Sequence, residues 1–89
     1  MYNISITCNS EKQINRIKNL ASYENVSINI IDNTKYNKEA ERFKYYWSAK
    51  LDPFILVEKD GKPIRGFYTE ASDAINELIN FLNNELDQN

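Results

Sequence analysis

The sequence predicts a single α/β domain of element order β-α-β-α-β-β-α, with a four-stranded mixed sheet and helices on both faces. Three observations predict it. Two short N-terminal stretches alternate apolar and polar residues and are separated by a segment of helical spacing. An uninterrupted apolar run, Phe54 to Val57, is followed closely by an Asp-Gly pair. The C-terminal segment carries an apolar residue every three or four positions. With 89 residues, 42% of them hydrophobic and 27% charged, the chain has the composition of a folded domain and room for one core.

Each element has its own signal. Tyr2, Ile4, Ile6 and Cys8 alternate with Asn3, Ser5 and Thr7, a period of two that predicts a strand. Ser10 and Gln13 have capping-box spacing, and Ile14, Ile17, Leu20 and Ala21 follow at helical intervals, so a first helix is predicted from about Ser10 to Ser22. Val26, Ile28 and Ile30 alternate again, and two strands joined by one helix are expected to pair in parallel through a crossover. After a polar stretch, Ala40, Phe43, Tyr46 and Trp47 share a broad face of a second helix predicted over Lys38 to Trp47. Pro53 prevents helical continuation and biases Asp52 toward an extended conformation.

The remaining elements form a hairpin and a closing helix. The run Phe54-Ile55-Leu56-Val57 predicts a strand covered on both faces. Asp60-Gly61 is a hairpin turn that pairs Ile64 to Tyr68 antiparallel with Phe54 to Val57, and Pro63, which has no N–H to donate, puts this strand at a sheet edge. Thr69 is suited to cap a last helix with Ala71, Ala74, Ile75, Leu78, Ile79 and Leu82 as its apolar stripe. Residues 1–83 make the domain in this reading and 84–89 a flexible C-terminal tail.

Composition excludes several function classes. The net charge is −2, from eleven basic and thirteen acidic residues spread along the chain, and no Lys/Arg cluster marks a nucleic-acid footprint. The apolar run at 54–57 is far too short to span a bilayer, and Met1-Tyr2-Asn3-Ile4 lacks the features of a secretory signal, so no membrane association and a cytoplasmic location are expected. A single cysteine forbids an internal disulfide and suits a reducing compartment. With no histidine and one cysteine, a zinc site of the usual ligands is excluded, and neither metal nor cofactor is expected.

The stretch from Ile30 to Phe67 resembles the thioredoxin family in detail. Ile31-Asp32 ends a strand, Asn37-Lys38-Glu39-Ala40 opens a helix, Leu51-Asp52-Pro53-Phe54 precedes an apolar strand, and Lys59-Asp60-Gly61-Lys62 forms the hairpin. The short N-terminal part is more similar to a glutaredoxin, and the resemblance covers about residues 2 to 82. The Phe67-Tyr68-Thr69-Glu70-Ala71 stretch also resembles the helix start of small bacteriophage-encoded proteins of this pattern. The resemblance implies a cis peptide bond before Pro53 and a groove beside it that pairs with an extended partner. The family's cysteine pair is missing: Cys8 lies where the first strand meets the first helix, and three residues on stands Glu11. Dithiol oxidoreductase activity within one chain is thereby excluded, since the second thiol resolves the mixed disulfide.

The candidate sites follow from these two lines. Cys8 is the one candidate nucleophile, either a small buried hydrophobe continuing the Ile4-Ile6 face or a monothiol forming mixed disulfides. Asp52 and Pro53 border the implied groove, where the Asp52 charge disfavours glutathione. The glycine pair that glutaredoxins use for glutathione is also missing before Asp73, which disfavours it further. Phe43, Tyr45, Tyr46 and Trp47 place four aromatics within five residues, more than one helix can turn toward a core, so one or two are expected in solvent. Tyr46 and Trp47 are the expected anchors for a protein partner or for self-association. The functional expectation is therefore a non-catalytic binding or accessory protein acting through the proline loop and the aromatic patch. The alternative is a monothiol redox protein using Cys8.

Overall fold

Alternation along the first strand sets the layers of the structure. The computed structural model describes residues 1–20, 23–68 and 73–86. In it β1 (Tyr2–Cys8) sends Ile4, Ile6 and Cys8 into one apolar layer, as a period of two requires. β1 pairs in parallel with β2 (Val26–Asp32), Tyr2 opposite Val26 and Cys8 opposite Asp32. The connection between them contains α1 (Glu11–Lys18). On its other side β1 runs antiparallel to β3 (Ile55–Lys59), which in turn pairs antiparallel with β4 (Lys62–Phe67). The strand order is β2-β1-β3-β4, a four-stranded mixed sheet. Two more helices complete the described chain, α2 (Lys38–Tyr46) after β2 and α3 (Ala74–Leu86) at the end.

The run at 54–57 is covered on both sides, as its lack of alternation predicts. Ile55 and Val57 join Ile14 and Ile17 of α1 with Ala74, Ile75, Leu78 and Leu82 of α3. Phe54 and Leu56 point the other way, against Ala49 and the half-buried Phe43 and Trp47. Helices α1 and α3 thus share one face, and α2 lies on the other. Just ahead of β3, Phe54 extends the pairing: its O accepts from Thr7 N at 2.9 Å, and its N donates to Thr7 Oγ1 at 3.0 Å. Thr7 is fully buried, and these bonds satisfy its polar groups.

The turns agree with their chemistry. Lys59 pairs with Lys62 across Asp60 and Gly61, which have φ of 52° and 83°, a two-residue turn whose hand matches strand twist. β4 is an edge strand, as Pro63 required, and its ladder with β3 is irregular. Val57 faces Arg65 while Glu58 faces Pro63, so Ile64 is the extra residue of a bulge and is left exposed. The peptide bond between Asp52 and Pro53 is cis.

Besides the hairpin strands, which run over Ile55–Lys59 and Lys62–Phe67 rather than 54–57 and 64–68, and α2, which ends one residue early at Tyr46, boundaries differ at the other two helices. α1 ends at Lys18, with Asn19 as its cap, rather than near Ser22; residues 21 and 22 lie outside those described. Thr69, the expected cap of the last helix, and Ala71 also lie outside them. The cap observed is Asp73, whose Oδ1 accepts from the backbone N of Ile75 (3.0 Å) and Asn76 (3.2 Å). α3 continues to Leu86, into the segment read as tail, because Leu82 is buried and Asn83 accepts a bond from the Tyr23 hydroxyl at 2.8 Å.

Asp73 also receives Arg16 Nη1 at 3.0 Å, joining α3 to α1. The two functions of this carboxylate separate by magnitude. The pair is solvent-accessible, with side-chain exposures of 37% and 43%, and such pairs contribute about 0–1 kcal/mol. Loss of a capping side chain costs about 1 kcal/mol, up to about 2. Arg16→Ala is therefore expected to lower the urea midpoint slightly, and Asp73→Ala clearly more. Equal losses in urea titrations would mean that the ion pair, not the cap, is what matters at Asp73.

Candidate functional site

The ends of β1 and β2 and the loop before β3 converge on Cys8. Its side chain is fully buried, and its backbone O accepts from Asn33 N at 2.6 Å. Burial pushes the thiol pKa up to about 11, with the charges of Asp52 and Asp32 adding to the effect. A reactive cysteine requires the opposite environment, exposed and electropositive. Ser10 Oγ accepts from Gln13 N at 3.3 Å, and Gln13 Oε1 accepts from Asn9 N at 2.7 Å, so two of the local backbone donors are satisfied by the helix's own cap.

Around Asp52 the structure builds a polar cluster that is largely closed to solvent. Asp52 Oδ2 accepts from Lys44 Nζ at 3.0 Å and from Asn33 Nδ2 at 3.2 Å, with Lys44 and Asp52 side chains only 7% and 5% exposed. Lys44 Nζ also meets Glu41 Oε2 at 2.8 Å. Asn33 Nδ2 donates to Glu41 as well, and its Oδ1 accepts from Asn37 N at 2.9 Å. Asn37 caps α2 through Glu39 N and reaches back to the carbonyl of Asp32. One chain of bonds thus links the end of β2, the first turn of α2 and the proline loop. Asp52 Oδ1 is buried with no hydrogen-bond partner among the described residues.

The charges in this cluster sustain one another. Burial works against the Lys44 ammonium, but hydrogen bonds to Glu41 and Asp52 outweigh it and hold its pKa above the ordinary lysine value. Glu41 is held below the ordinary carboxylate range by hydrogen bonds from Lys44 and Asn33. The cluster offers neither a nucleophile in reach of solvent nor, among the described residues, a group of three side chains able to hold a metal ion.

What faces solvent is the outer side of α2. The helix ends in a tight cap: Ala49 N donates to Lys44 O at 2.8 Å, Ser48 N donates to Tyr45 O at 3.0 Å, and Ser48 has φ of 58°. This turn brings Ala49 into the core beside Trp47. Trp47 is accordingly half-buried, and Tyr46 lies edge-on to it with centroids 5.0 Å apart. Tyr36, Tyr45 and Tyr46 are 81%, 87% and 77% exposed, too open to be core residues. They line an open groove of about 750 Å³ together with Lys38, Arg42 and Lys50.

The sequence-derived candidates are therefore dispersed. Cys8, Asp52 and Pro53 are brought together below the surface, Trp47 packs inward, and Tyr46 alone of the five stands in the groove. Sequence reasoning missed Lys44 as a buried residue, although its position four after Ala40 and three before Trp47 placed it on the inward stripe. It also missed Tyr36, and it named Tyr45 within the aromatic patch without singling it out, because no local signal separates an exposed ring from a packed one.

Removing one partner of a buried pair leaves the others uncompensated, at a cost of about 3–5 kcal/mol. Lys44→Met is expected to lower stability by that order in urea unfolding; a change within experimental error would show that the cluster does not hold the loop. The pH dependence follows from the shift at Glu41. Its folded pKa is depressed, so its contribution is present above the ordinary carboxylate range and is lost as pH falls through the lowered value. Glu41→Gln should flatten the acid limb of stability against pH, and an unchanged limb would contradict this. For Cys8, iodoacetamide should label the native protein slowly and the denatured protein rapidly; rapid native labelling would contradict its closure.

In comparison with known proteins, no family model, no curated protein and no solved structure matches this chain.

Proposed function

We propose that this chain is a non-catalytic binding module built on a thioredoxin-like fold, engaging a protein partner or a second copy of itself through the outer face of α2. The fold reading is supported by the β-α-β-α-β-β-α order, the strand order β2-β1-β3-β4 and a proline directly before the doubly covered strand. Among the described residues no helix is long and apolar enough to cross a membrane. The lone cysteine suits a reducing, cytoplasm-like compartment.

One contrast carries the functional reading. The thiol that redox chemistry would need is sealed and held protonated, whereas Tyr45 and Tyr46 of α2, and Tyr36 just before it, stand in solvent. Tyrosine is enriched at binding hot spots because its ring supplies apolar area and its hydroxyl a polar contact. In this reading Asp52 and Pro53 do not touch the partner; they hold the loop that supports α2. Trp47 supports the same helix from below and presents its neighbour Tyr46.

Affinity capture from the native host tests this. The wild type and Cys8→Ser are expected to retain the same partner, or to self-associate equally by sedimentation, while Tyr45→Ala/Tyr46→Ala loses it. Both tyrosines are exposed, so the double variant should melt within about 0.5 kcal/mol of the wild type. Retention that depends on Cys8 and is released by a reductant would instead support the monothiol alternative.

A further inference from the structure

The groove over α2 has a charge character that the whole chain does not share. Lys38, Arg42 and Lys50 line it, all three are exposed, and none has an ion-pair partner among the described residues. The acidic side chain in its wall, Glu41, is turned to Lys44 and Asn33 and so is already satisfied. A chain of net charge −2 thus presents a local positive groove with a tyrosine at one end and two at the other.

We infer that this groove binds an acidic linear segment of a protein partner, with carboxylates on Lys38, Arg42 and Lys50 and an apolar side chain against Tyr45 and Tyr46. This rests on the binding-module reading and specifies the chemistry of its partner. The spacing suits such a segment. Lys38 and Arg42, one turn apart, are separated by about 6 Å along the helix axis. Alternate residues of an extended peptide recur at about 7 Å, so acidic side chains two apart can meet both cations. Rim charges of this kind mainly set selectivity and association rate, while the aromatic contacts set residence.

The same inventory of tyrosines and cations would suit a single nucleic-acid strand only if the rings formed successive stacking platforms. They do not. Tyr45 and Tyr46 are consecutive on a helix, so their side chains diverge by about 100°. Tyr46 is further committed to its edge-on contact with Trp47, at 78° between ring planes. A phosphodiester strand long enough to leave the groove would also meet a surface of opposite preference, since the chain as a whole is acidic.

Selection from a random-peptide display library against the intact protein tests the inference. Retained peptides are expected to be net acidic with at least one apolar or aromatic residue. A synthesised representative should bind about tenfold more weakly to Lys38→Gln/Arg42→Gln, and to Tyr45→Ala, than to the wild type. Its affinity should also fall with added salt. Each variant is checked by thermal melting, and the two act through different interactions, so either one alone can decide the matter. Neutral or basic peptides that are retained by the wild type and lost in Tyr45→Ala/Tyr46→Ala would overturn the acidic-segment inference and leave the binding-module reading standing. Acidic peptides indifferent to all these substitutions would overturn the inference at this groove. Oligothymidine binding that depends on Lys38, Arg42 and the tyrosines, with no peptide retained, would overturn both.

Discussion

The Lys44 ammonium lies between Asp52 and Glu41, almost without solvent, and it ties three otherwise separate parts of the chain together. Asp52 belongs to the loop entering β3, Glu41 to the first half of α2, and Asn33, which bonds to both carboxylates, to the end of β2. A buried ion pair of this kind carries a large desolvation cost, offset only when the geometry is good and further hydrogen bonds are made. Here Asn33 makes them to both carboxylates, while one oxygen of Asp52 has no partner among the described residues. The arrangement is poorly explained as a source of net stability. What it supplies is placement, because a charged group so enclosed has no second position of similar energy.

Placement explains the state of the thiol. Cys8 ends β1 at the same level of the sheet, opposite Asp32 and close enough to Asp52 to feel its charge. The carboxylate that positions the loop through Lys44 therefore also opposes ionisation of Cys8. A chain using that cysteine for exchange would need a cation or a free helix terminus nearby. This one directs its nearest buried cation to Asp52 and closes the start of α1 with the Ser10 and Gln13 side chains. Asp52 is thus simultaneously the support of α2 and a charge that, after burial, opposes ionisation of Cys8.

The legible and illegible parts of the structure divide along the range of the interactions involved. Strand alternation, the covered run at 54–57, the Asp60-Gly61 turn and the edge position of Pro63 depend on nearest neighbours or on periodicity, and each stands in the structure as read. The cap of α3 was not readable in the same way. Thr69 and Asp73 are both good capping residues one turn apart, and Asp73 has a bond from Arg16, 57 positions away, that no local pattern reveals. The site was less legible still. Lys44 on an inward stripe looks like a conflict until Asp52 is brought to it, and Ser48 gives no glycine to announce the turn that ends α2. Consequently Trp47, the residue most suggestive of a surface anchor by type, is in part a core residue, and the exposed role falls to Tyr45 and Tyr46.

That exchange has a consequence for how the outer face of α2 can work. A helix of nine residues is too short to hold its shape unaided, since nucleation is unfavourable and propagation over so few residues does not recover it. Everything that stabilises α2 lies on its inner side or at its ends: the Asn37 cap, the Lys44 pair, Phe43 and Trp47 against Phe54 and Leu56, and the Ser48 turn. None of these uses the outward side chains of Lys38, Arg42 or Tyr45, and Tyr46 takes part only through its edge-on contact with Trp47. The groove residues are therefore held in register by a backbone that is fixed independently of them, so ligand binding needs to order side chains but not the helix. Because the ordering cost at an interface rises with every immobilised element, a short helix anchored from beneath is a better platform than a longer one whose exposed residues also stabilise it.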